Sequence, residues 1–283
     1  MSTGAASSPD ARGVSALRHR LRAYAAVFTV QLQDSLAYRG QALIWMLSDT
    51  VPALVLPLVW LAAYNGRSAI GGFQPSQIVA YYFLVLFLTN FMISHLHWDI
   101  SEEIKEGRLS NYLTRPLSYM AFQYLGNSAW RIMRTLLFLP ILALAIWLFR
   151  GYLRWEGYHV GAAFWVAVLL GHILSFVMAY GLGMLALFFV QARDIYNFYY
   201  MMAGLLSGQT IPLTMLPHGL QTLANLLPFR YTLGFAAEIF LGQVQGAAII
   251  RGMVVELLWM VVLYLWAVFL WRRGLRYYTA VGI

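Results

Sequence analysis

Long apolar runs decide what this chain can fold into. From Ser68 through Trp98 no Asp, Glu, Lys or Arg occurs, and comparable stretches recur towards the C-terminus. About 20 apolar residues, rising 1.5 Å each as a helix, cross a hydrocarbon core of about 30 Å. Several stretches here pass that length, so the expected fold is an all-α membrane protein. Composition agrees: 61% of residues are hydrophobic and 11% charged, against roughly 25% charged in soluble domains.

Six spans are expected. Span 1 runs from about Ala42 to Tyr64, with prolines at 52 and 57 to kink it. Span 2 covers Gln77 to Trp98, span 3 Phe122 to Phe149, span 4 Ala162 to Gln191, span 5 Tyr196 to Leu213 and span 6 Gly252 to Trp271. The charge-free part of span 3, Thr135 to Phe149, covers only about 22 Å by helical rise. Its helix therefore starts earlier and carries Arg131 and Arg134 at its inner end, either snorkelling or facing the bundle. In span 4, Gly171, Ala179, Gly181 and Gly183 permit close helix contact, as small residues do in bilayers.

The flanks carry their own signals. Residues 1–16 read as a disordered cytoplasmic tail without the apolar core of a signal peptide. From 17 to 38, Leu17, Leu21, Tyr24, Phe28, Leu32 and Leu36 recur every three or four positions with arginines between them, the pattern of an amphipathic helix lying on lipid. Between Pro212 and Arg251 the apolar background is broken by Pro217, Gly219, Pro228, Arg230, Gly234, Glu238, Gly242 and Gly246. Two short helices in a re-entrant outer segment over 213–246 fit that better than one clean span.

One dense block of charge stands out, WDISEEIKEGRLSNYLTRPLS from Trp98 to Ser118. Asp99 and Glu102 have the spacing of a helix-start box, and Gly107 is placed to stop the helix. A short amphipathic stretch, Leu109, Tyr112 and Leu113, follows. A compact helical element of this kind either touches a soluble partner or is a solvated loop.

Charge sets orientation and excludes some chemistry. Of the 19 Lys and Arg, fourteen fall on the side of the termini and five on the other. The positive-inside rule then places both termini and the charged block in the cytoplasm. The net charge of +8 sits at span ends, which suits anionic lipid rather than nucleic acid. The absence of cysteine excludes disulfides, thiolate metal sites and thiol catalysis. His95 and His97 are two apart and point to different helix faces, so they make no metal pair. No G-x-x-x-x-G-K-[ST] loop occurs, and the single lysine, Lys105, follows an isoleucine. Intramembrane charges are few: Asp49 in span 1, Arg131 and Arg134 in span 3, Glu256 in span 6. Asp49 either serves a path for an ion or substrate or pairs with Arg131 or Arg134. With no acidic relay deep in a span and no obvious inverted repeat, energy supplied through the cytoplasmic block is the economical reading. The alternatives are a stand-alone secondary transporter or channel, and a membrane enzyme whose catalytic residue is not evident.

Glu103-Ile104-Lys105-Glu106-Gly107-Arg108-Leu109, followed by Leu113-Thr114-Arg115-Pro116-Leu117-Ser118, resembles the E-I-x-x-G-x-L…L-x-R-P-L-S pattern of a bacterial subgroup of ATP-binding-cassette (ABC) type-2 permeases. The order of elements resembles that family from about Leu17 to Arg276. The resemblance implies a permease subunit in the bacterial cytoplasmic membrane, exporting a drug, peptide, natural product or lipid. It implies that the 99–118 loop is a coupling helix seated on a separate ATPase subunit, with Glu102, Glu103, Lys105, Glu106, Gly107, Arg108, Tyr112 and Arg115 in contact. ATP and Mg would then belong to that subunit, none to this chain. Spans 2 and 5 of two permease chains would face each other, which makes Asn90, Ser94, Gln209 and Thr210 pathway candidates by position. The second permease would be an identical or a related chain.

Overall fold

The computed structural model describes residues 9–154, 157–189 and 191–278, and these are helix and connecting turns apart from one isolated bridge between Ile70 and Phe73. Residues 1–8 of the expected tail, Glu156 and the Asp49 side chain lie outside the described residues.

Helix α1 (Pro9–Ala37) begins ahead of the Leu17 boundary, so residues 9–16 are helical where a disordered tail was expected. Proline is well suited to a first helical position, where its missing N–H costs nothing. After Tyr38 the chain turns into α2 (Arg39–Tyr64), which runs through both prolines and ends at Asn65 and Gly66 in left-handed conformation. Helix α3 (Pro75–Met92) opens with a reciprocal cap between Gln74 and Gln77. It does not continue to Trp98 as expected.

Residues 93–95 are not helical, and a new helix, α4 (Leu96–Lys105), carries Trp98 and Asp99. The expected helix start at Asp99 therefore moves to His95, with Asp99 inside the first turn, where a carboxylate suits the dipole. The break persists because its freed backbone group is satisfied: Ser175 Oγ accepts from the Ser94 N–H at 2.9 Å. After Gly107 at φ 71°, a single turn, α5 (Ser110–Leu113), leads to α6 (Tyr119–Leu148).

Helix α7 (Ala162–Met184) is the axis of the bundle. Helix α11 (Ala247–Gly274) packs on it where Gly181 meets Trp266, and α4 packs where Gly183 meets Ile100. A Cβ at Gly181 would come within 2.4 Å of the Trp266 ring, so the close approach requires glycine. A 3-10 turn, Leu185–Leu187, extends α7.

The next helix, α8 (Arg193–Leu206), has 14 residues. By helical rise that is about 21 Å, short of the hydrocarbon core, and its last turn gives way to Ser207 and Gly208 rather than reaching Leu213. The segment beyond holds α9 (His218–Leu226), a 3-10 turn at Pro228–Thr232 and α10 (Gly234–Phe240). Arg230 forks onto the Glu238 carboxylate, with Nη2 to Oε2 at 2.5 Å, which explains two opposite charges in an apolar setting. Tyr81 and Tyr82 of α3 donate their hydroxyls to the carbonyls of Gly208 and Thr210, fastening the turn after α8 to the bundle.

Among the described residues four helical stretches are long and apolar enough to cross a membrane: Pro75–Lys105, Tyr119–Leu148, Ala162–Leu187 and Ala247–Gly274. The chain is a multi-pass membrane protein. The outer faces of α2, α6 and α11 expose Leu58, Leu136, Trp147, Leu258, Val262 and Phe269, as lipid-facing surfaces do.

Candidate functional site

The α4–α5 loop has two faces. Leu96, Ile100, Ile104 and Leu109 are buried against α7 and the start of α6, while Glu102, Lys105, Glu106 and Arg108 point outward. The exposed Arg108 Nε lies 2.5 Å from Glu106 Oε2, a surface pair worth at most about 1 kcal/mol. Arg115 sits over the Tyr112 ring at 4.9 Å and the Phe122 ring at 5.3 Å, which holds the end of α5 against α6.

Of the eight residues expected at a partner surface, Glu103 is buried and Tyr112 half-buried, and both also line a cavity beside the loop. Glu103 is 9% exposed. Its carboxylate accepts hydrogen bonds from Tyr112, Tyr119 and Gln123. Tyr112 packs edge-on against Tyr119. Partial burial, and then the Glu103 carboxylate, raise the Tyr112 phenol above its ordinary value, keeping it a donor.

A buried polar network lies where α3, α4 and α6 meet. Arg134 Nε donates to Asn90 Oδ1 at 2.9 Å, and Asn90 Nδ2 donates to the Leu86 carbonyl at 2.8 Å. Arg131 Nη2 lies 3.0 Å from His95 Nδ1, and Ser94 Oγ donates to Asn127 Oδ1 at 2.8 Å. Arg131 and Arg134 are 2% and 3% exposed, so they face the bundle and do not snorkel. His97 has no hydrogen-bonding partner among the described residues and is enclosed by Trp98, Tyr196, Tyr199 and Tyr200. Glu256 is fully buried, and neither carboxyl oxygen finds a hydrogen bond among the described residues.

The pathway candidates are not brought together. Asn90 and Ser94 are consumed in the buried network, while Gln209 and Thr210 lie in the partly exposed turn after α8. A cavity of about 1000 Å³ opens instead between the α1–α2 corner, α4, α6 and α8, and none of those four residues lines it. Asp34, Trp45, Trp98, Asp99, Arg131 and Tyr200 do.

Residues 51–282 match the family described as ABC-2 family transporter protein. The chain belongs to that family. A comparison with curated proteins gives no match. As an ABC-2 membrane protein the permease is a transporter component and not itself an ATPase, and permeases of this kind generally pair with ATPase subunits. Reading the sequence missed the donors that hold Glu103. Tyr119 and Gln123 are four apart at the start of α6, so they share a helix face, but nothing in the sequence says which acid that face meets. It also missed Asn127 and Tyr200, whose partners Ser94 and Trp98 come from α3–α4 across the fold.

Proposed function

We propose that the permease is the transmembrane subunit of an exporter, moving an amphipathic drug, peptide, natural product or lipid outward across a bacterial cytoplasmic membrane. Energy comes from ATP, with Mg, hydrolysed in a separate dimeric nucleotide-binding subunit. The transport unit contains a second permease chain, identical or related. Six spans, counting α2 and α8, put both termini in the cytoplasm, with α9 and α10 dipping into the outer leaflet.

The observation that carries this reading is the α4–α5 loop. Its apolar face is anchored, and its outward face presents Glu102, Lys105, Glu106, Arg108 and Arg115, among which the Glu106–Arg108 contact is the one close ion pair between described residues and Arg115 rests on two rings. A solvated loop needs no such apolar anchoring; a surface that receives mechanical work does. The cavity beside it, walled by tryptophan and by charged groups of both signs, gives an amphipathic substrate a place to enter.

The test is co-purification of the tagged permease with its neighbouring gene products, followed by an ATPase assay. The wild type is expected to bring down an ATPase. The double charge reversal Glu102→Lys/Glu106→Lys, on exposed positions, is expected to lose it or to abolish stimulation. A permease that purifies alone and moves solute into vesicles on an ion gradient, without ATP, would make it a secondary transporter or channel.

A further inference from the structure

Glu103 sits in the middle of the α4–α5 loop, yet it is 9% exposed and its carboxylate is taken up by donors of the chain itself. Oε2 accepts from Tyr119 Oη at 2.6 Å and Gln123 Nε2 at 2.8 Å, and Oε1 accepts from Tyr112 Oη at 3.2 Å. Its backbone carbonyl accepts from the Leu109 N–H at 3.2 Å, closing the turn around Gly107. One residue of α4 thus holds α5 and the first two turns of α6. All three side-chain donors are neutral, so this is a hydrogen-bonded clasp and not an ion pair. Burying a carboxylate is unfavourable unless such charge-assisted bonds replace its water, which makes the clasp specific for this geometry.

The clasp adds a polar tie to the apolar packing of α4. The chain enters α4 from α3 through the non-helical residues 93–95, and Ile100 packs the helix on α7 at Gly183 by apolar contact. Towards α6, the loop is tied at a buried carboxylate to an unbroken 30-residue helix that carries Arg131 and Arg134. Helix α1 rides on the same helix, with Gln31 lying against Gly126. We infer that Glu103 is a positioning residue that clamps the α4–α5 loop to α6, so that loop and helix move as one body when the ATPase subunit acts on the loop. This rests on the exporter reading above.

The chain has no cysteine, so introduced thiols report cleanly. Spin labels at Asn111→Cys and Ile132→Cys, both on exposed positions of α5 and α6, measure the loop-to-helix distance in lipid vesicles containing the whole complex, with and without ATP. With Glu103 intact, one narrow distance is expected, unchanged by ATP. Glu103→Ala is expected to broaden it, and to let ATP shift the loop alone, while the ATPase subunit stays bound. The exchange Glu103→Gln/Gln123→Glu keeps a carboxylate, an amide and their complementary bonds, and is expected to restore the narrow distance. Glu103→Ala with an unchanged narrow distance and a lost ATPase subunit would make Glu103 a partner contact and overturn the clamp. So would an exchange variant that folds yet stays broad, a result that decides the matter even if Glu103→Ala fails to fold. If no ATPase associates even with the wild type, the exporter reading fails separately, and the resting distances still judge the clasp.

Discussion

Individual side chains in this bundle act through what they would leave behind. Arg134 donates to Asn90 in a region where both residues are at most 3% exposed. Replacing it as Arg134→Met strips a charged donor from a buried acceptor, a change that costs about 1.5–3 kcal/mol. The midpoint of thermal unfolding in detergent is expected to fall accordingly, with expression largely retained. Glycine positions give the opposite test. Gly181→Val forces a side chain into the Trp266 ring and is expected to destabilise by about 1–3 kcal/mol or more. Gly219→Ala, at an exposed position inside α9, meets nothing within 4 Å at ordinary φ and serves as the comparison that is not expected to destabilise in the same melts. An equal effect of the two would mean that α7 and α11 are not packed through Gly181.

At the scale of elements, the short helices after α8 depend on one charge pair. Arg230 and Glu238 are 17% and 11% exposed in their side chains. Removing one partner leaves the other desolvated, for which buried pairs lose about 3–5 kcal/mol, whereas removing both is often close to neutral. Arg230→Met is therefore expected to be less stable than Arg230→Met/Glu238→Met; limited proteolysis of the 213–246 segment reads the difference. Equal protection in the two variants would show that the pair is wet and loose.

These same elements separate what the sequence makes legible from what it does not. Proline and glycine between Pro212 and Arg251 announced short helices, because both residues act on the local backbone. The interruption at residues 93–95 carries neither proline nor glycine. It is stabilised by Ser175 and Asn127, which lie far along the chain, and no local pattern reports such a partner. Likewise a short helix ending near Gly107 was readable from Asp99, Glu102 and that glycine. That Glu103 belongs to the inner face was not, since an acid inside an acidic run looks like its neighbours until its donors are seen.

At the scale of the whole molecule, the proposed topology turns on one crossing. Under the six-span reading Lys and Arg crowd the side of the termini, and the positive-inside rule then puts the α4–α5 loop inside. Helix α8 spans only about 21 Å, so its crossing needs the Ser207–Pro212 turn, local thinning of the bilayer or both. Single thiols on the cysteine-free chain decide this. Ser68→Cys, in the loop between α2 and α3, is expected to react with a membrane-impermeant maleimide in intact cells, and Asn111→Cys only after permeabilisation. Gln245→Cys, exposed between α10 and α11, is the informative site. If α8 crosses, Gln245→Cys reacts from outside together with Ser68→Cys, and α11 returns the chain to the cytoplasm with Arg272 and Arg273 at its inner end. If α8 turns back, Gln245→Cys is protected until permeabilisation, α11 runs the other way, and those arginines end outside, against the positive-inside rule.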